Sequence, residues 1–253
     1  MVNYTELKEF LDFKAEEYNS PKFIDSDPIQ LPHRYSKKVD IEIVGFIVST
    51  IAWGNRKSII KSGEKLLDIM QDNPFEFIKN YNDELSKDLK FVHRTFNAND
   101  LDFFFRSLQN IYKNGGLEKA FQSHPTLFGS QGRITQFRQT FLETEHENRS
   151  QKHISNPEKN SAAKRINMFL RWMVRKDNKG VDFGIWNKIS PSELSVPLDV
   201  HTANIARKLN LITRTQNDGK ALEELMLHLR EFDPIDPSKY DFALFGLGAF
   251  EKF

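Results

Sequence analysis

The sequence predicts an all-α protein, and three observations carry that expectation. Apolar residues recur at helical spacing along most of the chain. Turn signals such as Gly54-Asn55, Asn114-Gly115-Gly116 and Asp233-Pro234 fall between those segments rather than inside them. The stretch richest in β-branched residues, Val39 to Trp53, runs too long without a turn signal for a strand, so length favours a helix.

Taken in order, Tyr4 to Tyr18 reads as a helix with Leu7, Phe10, Leu11 and Ala15 on one face, stopped by Asn19-Ser20-Pro21. A helix from Ser36 or Lys37 to about Trp53 is apolar nearly all round, which marks a helix buried on most sides. Gly54-Asn55 breaks it, and Arg56 to Met70 resumes as an amphipathic helix. Pro74 to Asn80, Asn99 to Lys113, Leu117 to Phe121 and Ser130 to Glu147 follow as helices, the second ended by its glycine pair. The polar run from His146 to Ser161 reads as a loop. Ser161 to about Lys176 reads as a helix with Ala162, Ile166, Phe169, Leu170 and Met173 inward. Lys164, Arg171 and Arg175 share another face of it, with Arg165 and Lys176 alongside. Asp218 to Phe232 and Ser238 to about Leu247 complete the set. No fixed-period repeat interrupts the pattern.

Composition excludes several classes. The 253 residues can bury a large core, as one sizeable unit or two packed lobes. The absence of cysteine removes disulfides, iron–sulfur clusters and thiolate zinc sites, and fits a cytoplasmic setting. Seven histidines lie without metal-ligand spacing, so no metal and no cofactor is expected. There is no G-x-S-x-G, no phosphate-binding glycine loop and no dinucleotide-binding pattern. The N-terminal residues hold no apolar signal core, and Val39 to Trp53 is too short for a bilayer, so no membrane is expected. A formal net charge of +1 leaves a polyanionic partner open, because clustering matters more than the sum.

One stretch stands out, Val196-Pro197-Leu198-Asp199-Val200-His201-Thr202. Proline keeps Val196 extended, and Asp199 stands where a helix N-cap belongs. The plain reading is a capped amphipathic helix. The tip at Trp53, Asn55, Arg56 and Lys57 has a similar pair of readings. It is a glycine-broken helical hairpin, or a nucleic-acid contact that stacks through Trp53, bonds through Asn55 and brings charge through Arg56 and Lys57.

Asn160-Ser161-Ala162-Ala163-Lys164-Arg165-Ile166-Asn167-Met168-Phe169-Leu170, followed by the Asp199 stretch, resembles the helix-hairpin-helix DNA glycosylase superfamily, and within it the 8-oxoguanine DNA glycosylase/lyases. The resemblance covers 156–211 best and extends weakly to 41–67. The whole chain also resembles a bacterial protein family of similar length with no assigned activity. The first resemblance implies a two-lobed helical bundle with its active-site cleft between lobes. The 1–253 unit would comprise a central lobe, 36–147, and a hairpin-containing lobe, 1–35 with 148–253.

That resemblance also implies roles. Lys164 matches a Schiff-base lysine and Asp199 a catalytic carboxylate, while His201 matches a phosphate-contacting histidine. Trp53, Asn55, Arg56 and Lys57 fall in the loop that enters the duplex, and Phe242 and Phe245 near the helix that walls the base pocket. One departure is plain: the hairpin glycines of many members are replaced by Asn156-Pro157-Glu158-Lys159-Asn160-Ser161. Side-chain donors from Lys159, Asn160 or Ser161, with Arg165 beside them, would then stand in for close backbone approach to a phosphate.

The residue types suit the chemistry. A lysine free in water is protonated at neutral pH and cannot attack carbon. Partial burial beside Arg165 and Arg171 would free the Lys164 amine, and Asp199 could accept its proton and steady the developing cationic sugar. The expectation is a monomeric base-excision enzyme acting on double-stranded DNA that holds a damaged, 8-oxoguanine-like base. The alternatives are a non-catalytic DNA-binding protein of the same fold, or a helical protein–protein interaction module in which Lys164 and Asp199 form a salt bridge.

Overall fold

The computed structural model describes residues 4–251 and residue 253. The helices in chain order are α1 (Tyr4–Tyr18), α2 (Lys38–Ile51), α3 (Arg56–Ile69), α4 (Pro74–Lys79), α5 (Asp83–Lys87), α6 (Ala98–Lys113), α7 (Leu117–Ala120) and α8 (Gly129–Phe141). They continue with α9 (Lys164–Val174), α10 (Val200–Lys208), α11 (Gly219–Phe232) and α12 (Tyr240–Gly246). A two-residue antiparallel pair, β1 (Val92–His93) and β2 (Phe96–Asn97), precedes α6 with His93 opposite Phe96. The fold is predominantly helical, as the periodicity predicts.

The chain divides into two compact units. One comprises Met1–Ile24, Phe128–Gln131 and Asn156–Phe253; the other comprises Asp25–Leu127 and Gly132–Ser155. In the second unit α2 is buried from Asp40 to Ile51, as expected of a helix apolar all round. Its Phe46 packs against Phe104, Phe137 and Phe141, with ring centroids 5.3–5.8 Å apart. Rings of this size dominate core energetics, and each such pair adds roughly 0.5–1.5 kcal/mol beyond burial.

The first unit is built on α12. It packs against α1 and α10, and Gly246 permits the closest approach, because a Cβ there would run into the Tyr18 ring. Ala203, Ile205 and Ala206 of α10, Leu222, Leu225 and Leu229 of α11, and Ala243 and Leu244 of α12 fill the core. In this packing the first turn of α10 meets the end of α12 and the turn that follows, where His201 lies against Phe245 and close to Gly248.

Several expectations are corrected. The helix expected from Ser161 begins at Lys164 and ends at Val174, because Asn160 and Ala163 both take left-handed backbone, φ 61° and 47°. A helix cannot pass through such residues. The helix expected to Glu147 stops at Phe141. The loop expected between His146 and Ser161 contains two 3₁₀ turns, Asn148–His153 and Pro157–Lys159. The final helix closes earlier and passes into a π-helical turn, Leu247–Glu251. Helix α5 and the β pair are too short for periodicity to reveal.

Among the described residues no helix is long and apolar enough to cross a membrane, and no group of three His, Cys, Asp or Glu could hold a metal ion.

Candidate active site

The hairpin before α9 solves its turn without glycine. Asn156 accepts from the Glu158 N–H at 3.0 Å, and the Asn160 N–H closes the 3₁₀ turn onto the Pro157 carbonyl at 2.8 Å. Asparagine tolerates the left-handed region better than most residues, and here Asn160 is also anchored. Its amide donates to Asp218 at 2.9 Å, its side-chain oxygen accepts from the Lys220 N–H at 3.1 Å, and its carbonyl accepts from the Gly219 N–H at 2.9 Å. Gly219 makes this docking possible: a Cβ there would lie 2.9 Å from Asn160 Oδ1. The glycine that permits close approach thus stands in α11 rather than in the hairpin.

The three expected hairpin donors differ in fate. Lys159 is exposed. The Asn160 side chain is spent on the start of α11, not presented outward. Ser161 Oγ accepts from the Ala163 N–H at 3.1 Å. The second left-handed residue, Ala163, turns the chain directly into Lys164, the first residue of α9.

Lys164 is half-buried, and among the described residues its amine makes no hydrogen bond and no ion pair within 4.0 Å. The salt bridge to Asp199 that an interaction module would use is therefore not formed. Asp199 is the N-cap of α10, as expected, and its Oδ1 accepts from the Thr202 N–H at 2.9 Å. That bond is the only one its carboxylate makes among the described residues.

What relates Lys164 to Asp199 is a third residue, Asp241, near the start of α12. It is buried and accepts from the Arg171 guanidinium. Arg171 lies two helical turns beyond Lys164 on the same face of α9, so Asp241 is held on the face that carries Lys164. Burial pushes the Asp241 carboxyl up to about 7; the Arg171 charge opposes this, Asp199 reinforces it, and Lys164 opposes it. Lys164 and Asp199 thus act on one carboxylate.

The basic face expected on α9 is not a solvent face. Arg171 and Arg175 are buried, 2% and 5% exposed, because acids from distant segments meet them. Arg171 also donates to Asp182 at 3.2 Å, and Arg175 to Asp182 at 3.3 Å, Asp177 at 2.6 Å and Asp236 at 2.8 Å. Burial pushes the Asp182 carboxyl above its ordinary value although both guanidinium charges oppose it. Buried charge of this kind is tolerated only when paired and hydrogen-bonded. Arg165, half-buried beside Lys164, is pushed down to about 10 by burial.

Of the two expected pocket aromatics, Phe242 is buried beneath Arg171 and Arg175, whose guanidinium carbons lie 4.4 and 5.3 Å from its ring centre. Phe245 is half-buried and meets Phe23 and His201 edge-on, both at 6.1 Å. His201 is exposed on the first turn of α10.

In the other unit, Gly54 turns the chain between α2 and α3 at φ +103°, and a Cβ there would run into the Arg94 guanidinium. Asn55 is the N-cap of α3, accepting from the Ser58 N–H at 3.3 Å, so its side-chain oxygen serves the helix. Arg56 donates to Ser26 at 3.4 Å, and Lys57 is exposed. Trp53 is half-buried against His93 and His153, at 5.1 and 6.1 Å between ring centres. His153 pairs with the buried Asp100 at 3.2 Å.

Sequence reasoning singled out Lys164 and Asp199, and not the buried acids Asp241 and Asp182 that meet Arg171. The available signal was the seven-residue spacing of Lys164 and Arg171, which asks what acid meets Arg171 if that face is covered.

The fold and site define a helical protein whose distinctive chemistry is a half-buried lysine amine with two carboxylates at the starts of α10 and α12. The chain belongs to the family described as "Protein of unknown function (DUF2400)", whose model matches residues 27–250. No curated protein and no solved structure matches it.

Proposed function

We propose that the protein is a base-excision DNA glycosylase with lyase activity, acting on an oxidised, 8-oxoguanine-like purine, with Lys164 as nucleophile. The observation that carries this reading is the Lys164 amine: half-buried, free of any ion pair among the described residues, and related to Asp199 through Asp241. A lysine meant only for structure would be expected to close onto one of these carboxylates.

In this reading the damaged base leaves the stack and presents its sugar to Lys164. The Nζ–C1′ bond forms as the C1′–base bond breaks, and the base departs with the bonding electrons and takes up a proton. Asp199 accepts the proton lost by the ammonium and stabilises the cationic sugar. Opening of the C1′–O4′ bond leaves an imine; loss of a C2′ proton then expels the 3′ phosphate, and water returns the amine. His201, Lys159, Ser161 and Arg165 supply DNA contacts on one unit, and Trp53, Asn55, Arg56 and Lys57 on the other. Phe245, more accessible than Phe242, is the aromatic face for the extruded base.

Borohydride trapping on duplexes that hold 8-oxoguanine or an abasic site tests the proposal. A covalent adduct is expected with the natural protein and none with Lys164→Gln. Absence of an adduct, or an undiminished one with the variant, would falsify the enzymatic reading. Salt-dependent DNA binding without trapping would identify a non-catalytic DNA-binding protein.

A further inference from the structure

We propose that the second unit carries a binding site for a short-chain alkylammonium ion, in the cavity between the starts of α2 and α4 and the end of α6, with the buried Glu42 carboxylate as its anchor. The site lies wholly within that unit and shares no residue with the reading above.

The cavity holds about 240 Å³, below the ~300 Å³ at which drug-sized ligands begin to fit. Its walls are largely apolar: Val39, Leu117 and the rings of Phe75 and Tyr112, which meet edge-on at 5.4 Å. Phe75 is fixed through its N–H, which donates to the buried Asp40 at 2.9 Å. Gly115 and Gly116 end α6 with left-handed backbone, φ 114° and 90°, and leave the remaining wall bare. A Cβ at Gly116 would stand 3.7 Å from the Tyr112 ring and cover part of it.

Glu42 is 2% exposed and yet lines this cavity. A carboxylate at such depth is tolerated only when hydrogen-bonded or paired. Tyr112 donates to its Oε2 at 2.9 Å. Burial and the Glu42 charge hold the Tyr112 phenol well above its ordinary value, so it remains a neutral donor. Lys38, one turn earlier on α2, donates to Glu118 at 2.7 Å but stays 3.8 Å from Glu42 Oε1, beyond hydrogen-bond range. Lys38 thus serves Glu118 first and Glu42 second. At the other rim the Lys119 amine donates to the Asn114 carbonyl at 3.1 Å. The C-terminus of α6 adds its own partial negative charge.

Lys38 itself shows what these groups accept: an ammonium on a four-carbon stem. A ligand ammonium inside the cavity bonds to Glu42 with its stem against Val39 and Leu117, and the two rings attract the cation further. The charges of Asp40, Glu42 and Glu118 turn an anion away. A neutral alcohol gains the apolar walls but not the carboxylate. Lys38, 45% exposed at the rim, is a built-in rival for the same charge.

The test uses n-butylammonium, the Lys38 side chain cut free of its backbone, with n-butanol as the uncharged counterpart and sodium chloride to match ionic strength. Gly115 is the only glycine that follows an asparagine. Labelling asparagine with ¹³C at the carbonyl and glycine with ¹⁵N therefore reports one amide by NMR, at the cavity wall. The natural protein is expected to bind butylammonium saturably at neutral pH, with a Kd on the order of 1 mM, the scale for a ligand of so few atoms. Glu42→Gln, which keeps an acceptor for Tyr112, should weaken binding by about tenfold or more, the loss of a charge-assisted hydrogen bond. Lys38→Met removes the rival from an exposed position and should tighten binding severalfold. Absence of saturation in the natural protein, an equal response to butanol, or an affinity unchanged in Lys38→Met overturns the inference. Should Glu42→Gln fail to fold, those three comparisons still decide it.

Discussion

Arg171 and Asp241 lie 70 residues apart in the chain, and their buried hydrogen-bonded pair joins the last turn of α9 to the first turn of α12. Arg171 is simultaneously bound to Asp182, so one guanidinium serves two buried carboxylates. The pairing buries what looks, in the sequence, like a solvated basic face.

The two carboxylates make this arginine hard to replace. Arg171→Met fills much of the same volume but leaves Asp182 and Asp241 short of a counter-charge, and breaking a buried pair from one side costs about 3–5 kcal/mol. Urea unfolding should show a loss of that order. A loss under about 1 kcal/mol, the range of exposed pairs, would show that water reaches the network.

Asp241 should make stability depend on pH in a particular direction. Its ordinary value is 3.8 and its folded value about 7, so between the two the native state holds a proton that the unfolded chain releases. The contribution of Asp241 therefore becomes less favourable as pH rises from about 4 to about 7 and is constant above. At roughly 1.4 kcal/mol per pH unit the loss has a ceiling on the order of 4 kcal/mol. Asp241→Asn removes this dependence, so its stability relative to the natural protein should improve between pH 5 and pH 8. Parallel stability curves for the two would contradict the burial argument.

Capping and chemistry can be separated at Asp199. Asparagine caps helices about as well as aspartate, whereas alanine costs typically about 1 kcal/mol. Asp199→Asn should thus leave the melting temperature nearly unchanged while abolishing the trapping that the proposed mechanism requires. Asp199→Ala should lose both. Full trapping by the asparagine variant would reduce Asp199 to a cap.

The glycine-free hairpin has its own test. Asn160→Ala loses two side-chain hydrogen bonds and places a Cβ-bearing residue with no local partner at φ 61°, which together should cost roughly 2–4 kcal/mol. Asn160→Gly restores the backbone preference but not the bonds, and should recover part of that loss. At Ala163, φ 47°, valine should destabilise by at least about 1 kcal/mol, since a β-branched residue fits the left-handed region poorly. Chemical denaturation of the set would settle the order; equal stability of the Asn160 variants would mean that the turn is not strained.

Local patterns in the chain determined the helices and their caps. The spacing of Leu7, Leu11 and Ala15, the all-round burial of α2 and the cap at Asp199 depend on residues within a few positions of one another, so periodicity and turn chemistry reach them. The same reasoning could not place Arg171 and Arg175 inside, because a charge is buried only where acids meet it, and Asp182, Asp236 and Asp241 arrive from other segments. It also extended α9 through Ser161, since alanine and serine carry no sign of a left-handed turn; that turn is held by Asn160 docking on α11. Lys164 and Asp199 were legible as residues of interest. Their relation was decided only by the packing of α10 and α12 in the core, which brings Asp241, buried and bound to Arg171, within electrostatic reach of both.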